Sequence, residues 1–287
     1  MPVQLFEGED HAALYQKYRF PPSAEVLDVI FSFLGEKKQK PYELAVDVGC
    51  GSGQSTRVLA PHFERVLGTD ISEAQIQQAG KAPNPNNVSY RVCPAEDLPL
   101  EDTSVDLVTA FTAAHWFDTE RFLQEVTRVL KPQGCLALST YLPGMSLHFG
   151  DRSEQLTQIF REVQDFLSKY ASEKVNLVHS EYQEIFDSVP FPDKKRIPTI
   201  SSRVSFSVAH LMGFIQSFSM FQTFLEVNSE AAEEFLKATQ ERSCILRAEI
   251  VWCGNEEPAS TTQERLYFSH RMFYSRRTED EGKSDDC

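Results

Sequence analysis

The stretch ELAVDVGCGSGQST, residues 43–56, sets three glycines among small residues directly after an apolar run. Seven residues ending at Gly49 read as a buried strand, and the small polar residues after Gly53 open a helix. A strand that ends in Gly49-x-Gly51-x-Gly53 and turns into a helix can approach a ligand closely, because glycine tolerates the tight turn and carries no Cβ. Phosphate-binding loops place a lysine and a hydroxyl after the last glycine, whereas Gln54 and Ser55 follow here. A dinucleotide fingerprint wants Gly or Ala three places after its second glycine, and that place is Gln54.

Two acids complete the reading. Asp47 stands two residues before Gly49, where it would repel a pyrophosphate and attract an ammonium or sulfonium group. Asp70 lies at the end of the next expected strand, 65–72, at the spacing from the glycine loop where a carboxylate accepts ribose hydroxyls. A positively charged nucleoside suits both, and S-adenosylmethionine is such a molecule.

Outward from the loop, the alternation continues. Helix is expected over 52–63 and 73–82, strand over 88–96 and 104–114, helix over 118–134 and strand over 135–142. Strands alternating with helices imply an α/β fold with a mostly parallel sheet covered on both faces. The N-terminus, 1–35, reads as two helical pieces broken at Pro21-Pro22 and forms a candidate lid. Residues 36–142 form the core. After Leu142 a helical stretch over 151–187, an extended segment near 194–206 and a helical stretch over 208–248 make a cap inserted at 143–250. Residues 251–276 bring the final, antiparallel strand, and 277–287 are an acidic tail too polar to fold.

The motifs Asp47–Gly53, Asp70-Ile71-Ser72, Pro94–Pro99, SVDLVTAFTAAHWFD (104–118) and RVLKPQG (128–134) occur in that order. Together they resemble a class I S-adenosylmethionine-dependent methyltransferase with its Rossmann-like sheet. AAHWFD, with YQKYRFPP before it, is similar to the trans-aconitate methyltransferase-like group, which acts on small molecules. The resemblance implies a methyl transfer to a small-molecule acceptor, a carboxylate among the candidates. It implies cofactor contacts at Gly49, Cys50, Gly51 and Gly53, at Asp70 and Ile71, at Ala95 and Glu96 for adenine, and at Thr112 and Ala113 for the methionine end. Glu96 and Asp97 compete for the exocyclic amine, and Leu98 and Ile71 would supply apolar contacts. Tyr18 and Arg19, with Tyr15, could fold over the cofactor, Arg19 or a tyrosine hydroxyl meeting the methionine carboxylate. His115 is the candidate general base, with substrate binding or a structural role as alternatives, and Trp116 a candidate substrate contact.

Composition limits the partners. The 287 residues carry a formal charge of −14 with pI about 5.0, which opposes nucleic-acid binding, and the short basic clusters are scattered. Six cysteines show no zinc-like spacing and read as reduced thiols, and no metal is expected. No run of about 18 apolar residues occurs, so a soluble cytoplasmic protein, monomeric or weakly dimeric, is expected. An RNA or protein methyltransferase, a non-catalytic S-adenosylmethionine-binding module and, more remotely, an NAD-dependent enzyme are the competing functions.

Overall fold

Residues 5–141, 145–252 and 265–278 are described by the computed structural model, so the expected tail from 279 onward and the segment 253–264 lie outside the described residues. Two helices open the chain, α1 (Glu9–Tyr18) and α2 (Ala24–Gly35). The alternating region follows as β1 (Tyr42–Val48), α3 (Gln54–Leu59), β2 (Phe63–Asp70), α4 (Glu73–Lys81), β3 (Val88–Val92), β4 (Val105–Phe111), α5 (Thr119–Val129) and β5 (Leu130–Tyr141). Beyond it come β6 (Ser146–His148), α6 (Ser153–Leu167), the short α7 (Asn176–His179) and α8 (Gln183–Ser188), then β7 (Asp193–Ser205), α9 (Val208–Gln216), α10 (Ser219–Val227), α11 (Ser229–Trp252) and β8 (Arg265–Arg276).

Among the described residues one sheet holds all eight strands in the order β3-β2-β1-β4-β5-β8-β6, with β7 also paired to β8. The first five are parallel to one another, and β8 is antiparallel to β5, β6 and β7. Tyr267 pairs with both Ser146 and Arg203, and Met272 with both Ser139 and Ile197. It follows that β7 runs along one side of β8 while β5 and β6 share the other. The mostly parallel sheet with an antiparallel last strand is thus present as expected.

Strand periodicity sorts the core into two faces. Ala45, Leu107, Ala137, Met272 and Tyr274 pack under Val26, Ile30, Phe33 and Leu34 of α2 and Leu59 of α3. Their sequence neighbours Val46, Val108, Leu136, Leu138 and Phe273 pack on the opposite face against Phe122, Val126 and Val129 of α5 and Ile185 of α8. A third cluster joins α6, α9 and α10 through Phe160, Val163, Phe214, Phe221 and Phe224, and forms the body of the cap.

Several boundaries differ from the sequence expectation for local reasons. The helix after the glycine loop stops at Leu59, one further turn covers Ala60–His62, and Phe63 already belongs to β2. Residues 130–134 are strand, because Lys131 precedes Pro132 and a residue before proline is pushed out of the helical region. The stretch 151–187 is not one helix: Glu181 and Tyr182 have positive φ, and Tyr182, Ile185, Val189 and Phe191 fold back into the sheet core. Val251 and Trp252 belong to α11, and β6 had no signal in its three residues.

Candidate functional site

The carboxyl ends of β1, β2 and β4 meet at the glycine loop. Gly49, Gly51 and Gly53 have φ of 66°, 53° and 79°. At Gly49 a Cβ would lie 2.6 Å from the Ala113 Cβ and 3.1 Å from the Phe117 ring, so the loop needs glycine there for space as well as for conformation. Backbone donors of this loop are largely committed. Cys50 N–H donates to Thr69 O at 2.9 Å, Gly53 N–H to Cys50 O at 3.0 Å, and Gly51 N–H to Asp70 Oδ2 at 2.8 Å. Such a loop is no phosphate nest, which needs those donors free.

Asp70 accepts a second backbone bond, from Ser72 N–H to Oδ1 at 2.9 Å, and its burial pushes its carboxyl above the ordinary range. It forms part of the wall of a cavity of about 450 Å³, inside the usual range of about 300–1,000 Å³ for small-molecule sites. Gly49, Gly51, Ile71, Ala95, Glu96, Thr112, Ala113 and Trp116 also line it. Glu96 holds its place by accepting from Asp118 N–H at 2.7 Å. Ile71 is 43% exposed, an apolar side chain presented to the cavity. Thr112 has φ of 56°, a strained conformation for a β-branched residue that turns the chain sharply after β4.

The roof comes from the N-terminus. Ser72 Oγ donates to Phe6 O at 2.8 Å, and the Phe6 ring meets Trp116 edge-on at 5.8 Å between centroids. Tyr15 lines this cavity and also a smaller chamber of about 30 Å³ shared by Arg19, Cys50, Thr112, Ser139 and Tyr141. Arg19 donates from Nε to Ser217 Oγ at 2.8 Å and from Nη2 to Ser217 O at 3.2 Å, and its guanidinium lies over the rings of Tyr15, Phe214 and Phe218. Tyr18 turns the other way, its ring packed on Gly213 and edge-on to His210 at 5.2 Å, so lid and cap are joined through α1 and α9.

Four expected contacts are therefore placed elsewhere. Tyr18 faces the cap, and Tyr15, one turn earlier, takes the cavity side. Gly53 faces the Tyr90 ring, which a side chain there would overlap. Leu98 is buried in the sheet core, and of the two competing acids it is Glu96 that reaches the cavity wall. Asp47 is fully buried and lines neither space. Its Oδ2 accepts from Ser55 Oγ at 2.6 Å and Thr56 Oγ1 at 2.7 Å, and its Oδ1 from Thr109 Oγ1 at 2.9 Å, so it ties α3 and β4 to β1.

That cage has a pH signature. Burial pushes the Asp47 carboxyl up from 3.8 to about 6 against the three hydroxyls that lower it. A folded pKa above the unfolded one contributes stability that is full below about 4 and is lost as pH rises through 6. Asp47→Asn keeps the shape without the charge. Its melting temperature should gain on the wild type between pH 5 and 7.5, by the equivalent of about 1–1.5 kcal/mol. A constant gap between the two melting curves across that range would contradict the assignment.

His115, in the turn Ala114–Trp116, is buried, and its Nδ1 is 2.8 Å from the Tyr182 hydroxyl. Burial, with Lys174 and Arg19 nearby, drives its pKa down to about 3. The ring is neutral at physiological pH and lines neither space, an arrangement that opposes the expected role of general base. Sequence reasoning missed Phe6, Gln75, Arg121 and Lys174, all on the wall of the larger cavity. Lys174 arrives from the cap and donates from Nζ to Trp116 O. Only Gln75 had a local signal, the Ser72-x-x-Gln75 spacing of a helix start. Among the described residues there is no cluster able to hold a metal ion, and no helix is long and apolar enough to cross a membrane.

The residues present fit S-adenosylmethionine: an acid beside the loop for a sugar, a glycine cradle that a Cβ would fill, a carboxylate and an apolar side chain for a base, and no free phosphate nest. Residues 46–138 match the family described as a methyltransferase domain. A Dictyostelium discoideum protein named a methyltransferase is 31% identical over 229 residues, covering 78% of this chain and 82% of its own length. CRG1 of Saccharomyces cerevisiae, named an S-adenosylmethionine-dependent methyltransferase, is 26% identical over 207 residues, 64% of this chain and 71% of its own. A solved methyltransferase structure from Anaeromyxobacter dehalogenans is similar at a TM-score of 0.63 and 26% identity, covering 90% of this chain and 98% of that one. Sheet order, loop chemistry and relatives spanning most of the chain agree: the protein belongs to the class I S-adenosylmethionine-dependent methyltransferases, EC 2.1.1, with S-adenosylmethionine as its cofactor.

Proposed function

We propose that the acceptor is a small molecule bearing a carboxylate, as in the trans-aconitate methyltransferase-like group. The observation that carries this reading is the placement of His115: the ring is buried, its Nδ1 lies 2.8 Å from the Tyr182 hydroxyl, and it lines neither cavity. A thiol, phenol or ammonium acceptor must lose a proton, and this ring is a poor base for that step. A carboxylate is ionised already and is drawn to cations. Arg121 and Lys174 on the wall of the large cavity, and Arg19 in the smaller chamber, offer cations to such a group, beside the acids Asp70, Glu96 and Asp118 that serve the cofactor in this reading.

When bound, the cofactor supplies a methyl group on a sulfonium, whose displacement by a carboxylate oxygen leaves an ester and a neutral thioether. The chain aligns the partners and excludes water. In this reading Asp70 faces the ribose, Ala95, Glu96 and Ile71 take the adenine, and Thr112 and Ala113 the methionine end, whose carboxylate meets Arg19. Gly49 and Gly51 give the backbone approach. Lys174 receives the acceptor carboxylate, and Trp116 packs beside it. Residues 1–35 act as the lid and the helices of 143–250 as the cap that shapes the acceptor. The roof that Phe6 and Tyr15 place over the cavity supports a small acceptor over RNA or protein. The free thiols Cys50, Cys93, Cys135 and Cys244 support a cytoplasmic setting, with the chain a monomer or weak homodimer.

The test is formation of S-adenosylhomocysteine with pools of metabolite carboxylates, thiols, phenols and amines. Turnover is expected with carboxylates, at a rate level from pH 6 to 9, and Lys174→Met should raise KM about tenfold with less effect on kcat. Turnover confined to thiols or phenols and abolished by His115→Asn would reverse the assignment.

A further inference from the structure

α4 begins with the sequence of a capping box, Ser72-Glu73-Ala74-Gln75, and half of that box is made: Gln75 N–H donates to Ser72 Oγ at 3.2 Å. In the complete motif the Gln side chain reaches back to the backbone N–H of the capping serine. Here that N–H is already taken by Asp70 Oδ1 at 2.9 Å. The Gln75 side chain is left without its usual partner, and its Oε1 is buried with no hydrogen bond at all. Gln75 is 2% exposed, yet it is part of the wall of the large cavity. Its Oε1 lies 3.7 Å from where a Cβ on Gly51 would stand, beside the loop whose N–H is held by Asp70.

An unpaired buried carbonyl costs about 1–3 kcal/mol, a penalty seldom left in place without a ligand that relieves it. We propose that Gln75 is a cofactor-discriminating residue, its side-chain carbonyl accepting a hydrogen bond from a ribose hydroxyl of the nucleoside that Asp70 faces. Asp70 alone serves two backbone donors and the sugar. With Gln75 beside it, one hydroxyl is read by the carboxylate and the other by the amide. The device is local: the acid that positions the sugar also displaces the glutamine from its helix cap and frees it for the same sugar.

This inference rests on the assignment of the Asp70 wall to ribose, and the experiment separates the two. S-adenosylhomocysteine and its 2′-deoxy and 3′-deoxy analogues are titrated calorimetrically into the wild type, Gln75→Met and Asp70→Asn. Methionine matches the glutamine in length and suits the helix, so the unliganded Gln75→Met protein should melt no lower than the wild type. Its affinity for S-adenosylhomocysteine should fall about tenfold. For one of the two deoxy analogues, wild type and Gln75→Met should bind alike, because the hydroxyl that the amide reads is gone. Equal loss of affinity for all three ligands, or no loss for any, would overturn the role of Gln75 while leaving the ribose site in place. Deoxy analogues that bind the wild type as well as the parent ligand would overturn the ribose assignment, and Gln75 with it. A lower melting temperature for unliganded Gln75→Met with unchanged affinity would make the side chain structural.

Discussion

Replacing Asp70 with alanine should weaken S-adenosylhomocysteine binding by at least about 100-fold, measured calorimetrically at neutral pH. The carboxylate does two things at once. It holds Gly51 N–H and Ser72 N–H at 2.8 and 2.9 Å, which fixes the loop after β1 against the end of β2. The residue also forms part of the cavity wall. A hydrogen bond to a charged group contributes about 1.5–3 kcal/mol, so the one lost to the ligand amounts to one to two orders of magnitude in affinity, and release of the loop it holds adds to the loss. Two backbone donors also lose their acceptor, and the melting temperature should fall. Asp70→Asn should lie between the two proteins, because an amide oxygen can still serve one N–H but its NH₂ repels the other. Binding within threefold of the wild type in Asp70→Ala would remove Asp70 from the site.

Gly49→Val is expected to be the most damaging single change in the glycine loop. At φ of 66° a β-branched residue is strained, at about 1–3 kcal/mol. Its Cβ would also stand 2.6 Å from the Ala113 Cβ and 3.1 Å from Phe117, both on the cavity wall. The loop and the turn after β4 must separate, and the wall they share is lost with them. Together these effects should cost about 2–4 kcal/mol, a drop of roughly 5–10 °C in melting temperature for a chain of this size, with cofactor binding abolished. Gly80 supplies the control. A Cβ there meets nothing within 4 Å, and the residue sits in α4, where alanine is the better helix former. Gly80→Ala should stabilise the protein by about 0.5–1 kcal/mol and leave binding untouched. If Gly49→Val melts and binds as the wild type does, the close packing of Gly49 on Ala113 plays no part in either property.

The resemblance that named the fold was carried by local residues. Strands buried on both faces show as apolar runs, their crossover helices show a 3.6-residue period, and turns show as glycine and proline. These signals placed β1 to β5 and the strand near 194–206 within a few residues. Asp70 could be paired with the glycine loop from spacing alone, since consecutive parallel strands lie side by side and their carboxyl ends share one edge. The expected cofactor is the one the family uses.

What the sequence by itself determined, then, was the sheet, the loop and the acid beside it, each encoded within a few residues of where it acts. Tertiary structure decided the rest, because burial and partnership depend on residues far apart in the chain. Asp47 is sealed by Thr109, 62 positions away, and so acts on the loop instead of the ligand. His115 meets Tyr182, 67 positions away, and its basicity is lowered by burial, with the charges of Lys174 and Arg19 adding to it. Phe6, Gln75 and Lys174 reach the cavity only because the lid, a diverted helix cap and the cap segment converge on one sheet edge. No periodicity marks such residues, since what brings them together is packing between elements and not the pattern within any one of them.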